Sequence, residues 1–86
     1  MIHVTGTSAV SIPPCAGIRI TCNATTASQT YTLVDGAGTT QAVVTSPTVG
    51  NNFTYYGLIS TLASPATFTA SQAGDATISI LSRTLA

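Results

Sequence analysis

Ile18-Arg19-Ile20-Thr21-Cys22 is the stretch on which the fold turns. Its apolar and polar side chains alternate strictly. A period of two places Ile18, Ile20 and Cys22 on one face and Arg19 and Thr21 on the other, which is the signature of a half-buried strand. Upstream, Pro13-Pro14 ends a shorter run, Ala9-Val10-Ser11-Ile12, because neither proline can donate to a ladder. Before that, Ile2-His3-Val4-Thr5 is a further short strand stopped by Gly6. Downstream, residues 23–28 are small and polar and make a connection. Gln29 to Val34 is the next strand, with Tyr31 and Leu33 on one face.

Asp35-Gly36-Ala37-Gly38 is the strongest turn signal in the chain, and it predicts a hairpin that returns along Gln41 to Thr45. A Pro/Gly/Asn loop over residues 46–52 leads to Phe53–Leu62, the longest and most aromatic segment. Gly57 inside that segment predicts a bulge or a close backbone approach. Thr67-Phe68-Thr69 is a short strand. A turn over residues 72–75 leads into Thr77–Leu81, with continuation to Leu85 left open. No segment carries apolar residues at helical spacing, and threonine and serine make up close to a third of the chain. The expected fold is therefore all-β, a seven- to eight-stranded antiparallel sandwich or barrel. It forms a single domain over residues 1–86, and residues 1–14 are a candidate N-terminal arm or exchanged strand.

Charge narrows the functional classes. Only 5% of the 86 residues are charged: Arg19, Arg83, Asp35 and Asp75, with no Lys or Glu and a net charge of zero. A typical domain is about 25% charged. Two arginines cannot neutralise a run of phosphates, so no nucleic-acid partner is expected. A membrane surface needs a similar basic face, and no apolar run reaches the roughly 18–20 residues that span a bilayer. No charged, then apolar, leader precedes the first strand, and bulky Ile2 keeps the initiator Met1, so an intact, cytosol-made product is expected.

Chemistry-bearing residues are sparse. His3 is the only histidine, and no Gly-x-Ser-x-Gly elbow accompanies it, so catalysis is not expected. Cys15, Cys22 and His3 do not have paired zinc-ligand spacing, and Asp35-Gly36-Ala37-Gly38 lacks the alternating carboxylates of a calcium loop. No metal and no cofactor is expected. Cys15 and Cys22 lie seven positions apart, about 20 Å or more in extended chain. They read as buried thiols, with a disulfide requiring a reversal at Ala16-Gly17. Asn23-Ala24-Thr25 and Asn52-Phe53-Thr54 fit the glycosylation pattern by chance. The two arginines and two aspartates are either register-fixing ion pairs or solvated charges.

Alternation places Phe53 and Tyr55 on one face and Tyr56 on the other, with core or protein contact favoured over sugar stacking. β-Domains guard their edge strands with Lys, other charges or Pro. Here charge is scarce and the prolines sit in turns, so much of the surface is expected to be interface. Ile2, His3, Val4, Arg19, Tyr55, Tyr56 and Arg83 are the candidate interface residues.

The chain resembles the small head-decoration (cement) proteins of tailed bacteriophages. The resemblance rests on the opening Met1-Ile2-His3-Val4-Thr5, the Thr/Ser/Ala-rich strands, the Gly/Asn/Pro turns and the near-absence of charge. Residues 69–79 are also similar to the last hairpin of bacterial and phage Ig-like modules. The resemblance implies a structural virion protein, made in the host cytoplasm. Such a protein sits on the capsid surface, ties major capsid subunits together and forms a homo-oligomer, with a trimer favoured. A phage tail or fibre component shares the same composition. A secreted Ig-like or carbohydrate- and cell-surface-binding module is the third reading, and it predicts an oxidised Cys15–Cys22 pair and a stable monomer.

Overall fold

The computed structural model describes residues 2–83, with side chains described to residue 81. It contains eight strands among the described residues: β1 (Ile2–Val4), β2 (Val10–Ser11), β3 (Cys15–Ala24), β4 (Thr30–Val34), β5 (Thr40–Thr45), β6 (Asn52–Ser60), β7 (Thr67–Ala70) and β8 (Asp75–Arg83). All pairings are antiparallel. They form two four-stranded sheets, in the orders β1-β8-β3-β6 and β2-β7-β4-β5. The all-β expectation holds at the upper strand count. Leu85 lies outside the described residues.

The alternation in β3 is what lets the two sheets share a core. Register carries its inward face across the first sheet as one row, Ile2–Ile78–Ile20–Phe53. A matching row, Val10–Phe68–Leu33–Ala42, crosses the second sheet. Ile18, Ile20, Leu33, Phe68 and Ile78 are fully buried, and Tyr31 meets Phe68 with ring centroids 5.1 Å apart. Each such side chain contributes about 1.5–3 kcal/mol when taken out of water. Cys15 and Cys22 are both buried on β3 itself. The extended strand holds them apart, so they are not bridged to each other.

Two sequence signals resolve in detail. The Asp35–Gly38 turn is closed by Gly38 N–H on the Asp35 carbonyl (3.1 Å), and Gly38, not Gly36, takes the left-handed conformation (φ 86°). Gly57 is a bulge, not a close approach. Its φ is 73°, a Cβ there would meet nothing, and the pairing with β3 slips beside it. The slip changes which side chains face inward. Before it Phe53 and Tyr55 lean on the core; after it Leu58 and Ser60 do.

Two buried polar side chains tie the loops. The Gln29 side chain donates through Nε2 to the Gln72 carbonyl (2.7 Å) and accepts through Oε1 from Gln72 N–H (2.9 Å). Ser60 Oγ donates to the Ile12 carbonyl (2.8 Å) and accepts from Ala66 N–H (3.0 Å).

Gly36 fills the tightest spot. Its N–H donates to the Ile59 carbonyl (2.6 Å), and a Cβ added there would stand 2.1 Å from the Ser64 carbonyl oxygen. Because that oxygen is backbone, Gly36→Ala should cost about 1–3 kcal/mol, read as a lower urea midpoint with an unchanged slope. Wild-type stability in that variant would contradict the close approach.

Candidate functional site

The surface divides into a polar face and an open edge. The polar face is the outside of the first sheet. Register lines up His3, Thr77, Thr21 and Asn52 in one row across all four strands, and Ser79, Arg19 and Thr54 in the next. His3, Arg19 and Asp75 all project on this face. Asp75 accepts from Asn23 Nδ2 (3.1 Å) and is paired with His3 Nε2. Asn23 Nδ2 also donates to Thr77 Oγ1 (2.8 Å), and Thr21 Oγ1 donates to Asn52 Oδ1 (2.7 Å). These bonds use much of the hydrogen-bonding capacity of the face internally.

The aspartates therefore find other partners than arginine among the described residues. Asp35, almost wholly covered, accepts at Oδ1 from Ala37 N–H (3.0 Å) and Thr39 N–H (2.9 Å) and at Oδ2 from Gln41 Nε2 (2.6 Å). The bond from Thr39, then those from Gln41 and Ala37, hold its carboxyl below the usual 3.8. The bonds from Asn23 and His3 do the same for Asp75. The Arg83 side chain lies outside the described residues.

The candidate interface residues separate. Ile2, His3 and Val4 lie on β1, at one end of the first sheet. Tyr55 and Tyr56 lie on β6, at the other. Val4 is buried in its own core and Ile2 is half-buried against it, because the alternation of β1 leaves only His3 outside. The Val4 side chain is thus turned to its own core, and of the three only His3 is presented outward. Both strands of the candidate N-terminal arm pair within this chain's own sheets, and Ile12 beyond them is fully buried. Tyr56 is 77% exposed, with its ring against Gly17. Tyr55 is half-buried, and burial pushes its phenol pKa up. The Tyr31 hydroxyl is buried without an oxygen or nitrogen partner. Burial first, then the neighbouring Cys22 thiol, a weak hydrogen-bonding group, raise its pKa.

The open edge is formed by β5 and β6, the terminal strands of the two sheets on the side away from β1 and β2 in the strand orders. Residues 46–51 join them, so their adjoining ends share one flank. Thr40-Gln41-Ala42-Val43-Val44-Thr45 and Asn52-Phe53-Thr54-Tyr55-Tyr56-Gly57-Leu58-Ile59-Ser60 contain no charged residue and no proline. Ala42 and Val44 of β5 and Phe53 and Tyr55 of β6 are only part-buried there. The edges at the other end of each sheet are short: three residues in β1 and two in β2. An open groove of about 300 Å³ lies elsewhere, between Pro13, Pro14, Leu62 and Pro65. Among the described residues no three metal-ligating side chains come together.

The two depressed carboxyls set an acid limit. A carboxyl held lower when folded stabilises the fold above its unfolded value and loses that contribution as pH falls through the folded value. The melting midpoint should stay level from pH 7 to about 5 and drop below about pH 4. Asp35→Asn should melt lower at pH 7 and show a shallower acid decline. An unchanged acid slope in that variant would contradict the role given to the turn carboxylate. No family model, no curated protein and no solved structure matches this chain.

Proposed function

We propose that this chain is a structural module of a larger protein assembly, working by contact and not by catalysis. One observation carries the reading: β5 and β6 leave two long, uncharged, proline-free edges open on one flank. An edge strand presents unpaired N–H and C=O groups that template pairing with another chain, and charge or proline normally prevents it. The half-buried Phe53 and Tyr55 add apolar surface at the same place. Covering this flank with polypeptide removes both liabilities.

The setting that fits is a capsid decoration protein of a tailed phage, lying on the shell and tying major capsid subunits together. A protein that binds only the assembled shell stabilises it by mass action. A tail or fibre component would use the same flank. A secreted binding module is less well supported, because it predicts Cys15 and Cys22 joined, and β3 holds them apart.

Native mass spectrometry of the full chain from micromolar to hundreds of micromolar tests the proposal. Two or more copies per particle, with higher species gaining as concentration rises, is the expected result. A single copy that stays soluble at millimolar concentration would contradict it.

A further inference from the structure

From the register of β6 we infer that the flank closes on a second copy of this chain, by two-fold antiparallel pairing of residues 52–56. This rests on the assembly reading and names its first partner.

The stretch available for pairing is bounded on both sides. Beyond Tyr56, Gly57 breaks the strand at φ 73°, and the Ile59 carbonyl is already taken by Gly36 N–H. Before Asn52 the chain turns away: Gly50 takes a φ of 90° and Asn51 N–H donates to the Thr48 carbonyl (3.0 Å). Asn52-Phe53-Thr54-Tyr55-Tyr56 remains as an edge without bulge, charge or proline.

Two-fold pairing of a strand with itself must put same-face residues opposite each other. The register that uses all five residues is centred on Thr54. It sets Thr54 against Thr54 of the second copy, Asn52 against Tyr56, and Phe53 against Tyr55. The last match occurs twice and lies on the inward face, where both rings are only part-buried. Cross-strand aromatic pairs of this kind are favourable contacts. Each copy thus supplies the side chains that finish the other's core row, and neither brings a charge to the joint.

A second copy is favoured over a ring of three. A ring needs two different complementary edges, one on each side of the subunit. The opposite edge of the same sheet is β1, three residues long, with His3 at its centre tied to Asp75. Of the two edges of this sheet only β6 is long and open, and it is complementary to itself. The three-fold arrangement implied by the decoration-protein resemblance would then have to come from contacts with the shell.

Thr54 is exposed and sits on the two-fold axis of this register, so a charge there meets its own copy. Thr54→Lys and Thr54→Glu are each expected to weaken the dimer by about tenfold or more, since like charges set face to face in an interface repel. Each variant should keep the wild-type circular dichroism; with Arg19 opposite Thr54 on β3, the Thr54→Lys monomer should melt slightly lower and the Thr54→Glu monomer no lower than wild type. Mixed one to one, the two variants should form a Lys/Glu heterodimer, resolved by mass in native mass spectrometry. Wild-type chain that oligomerises while both variants do so equally well would overturn this register and leave the assembly reading standing. So would variants that dissociate but fail to form the heterodimer. Wild-type chain that is monomeric throughout would overturn both.

Discussion

Two sheets can share one dry core only while every strand keeps the same side turned inward, and this chain depends on that constraint more than most. A neutral domain of 86 residues has little else to stabilise it. A core of this size supplies only a few kcal/mol of net stability, and the described ion pairing is limited to His3 with Asp75. The inward rows through Ile20 and Leu33 hold the sandwich together. Where the alternation must change phase, a backbone device does it: Gly57 in β6, and the register slips around Gly17 in β3.

The same constraint creates the exposed flank. Before the Gly57 bulge, β6 aims Phe53 and Tyr55 at the core from the last position in the sheet, with no further strand beyond them. After the bulge, Leu58 and Ser60 reach in, and Ile59 is clasped through its carbonyl by the β4–β5 turn. One end of the edge is therefore closed by the chain's own backbone and the other end is left open. Composition makes this matter. Ordinary β-domains would place a lysine along such a strand, whereas here Arg19 and Asp75 both lie on the outer face of the first sheet.

Much of this architecture was legible in the residues. Strict alternation at Ile18–Cys22, the Asp-Gly turn, the break at Pro13-Pro14 and the glycine within β6 each act locally, so each leaves a local mark. The features that were not legible depend on distant partners. Gln29 looks like loop polarity until Gln72 closes on both ends of its amide. Ser60 looks like one more β-strand hydroxyl until Ile12 and Ala66 meet it. His3 and Asp75 are 72 positions apart, and no spacing rule joins them. The burial of Val4 was hidden for a related reason. Alternation fixes that neighbours face opposite ways, but not which side is in, and the core claimed Val4 while His3 stayed out.

The central claim is that the open stretch of β6 becomes covered when the protein works. Hydrogen–deuterium exchange of the full chain, compared between dilute and concentrated samples, reads those amides directly. The account predicts that exchange slows with concentration within residues 52–56, while β1 and β2 are unchanged. Equal exchange at both concentrations across residues 52–56, in a sample that has nevertheless assembled, would contradict it.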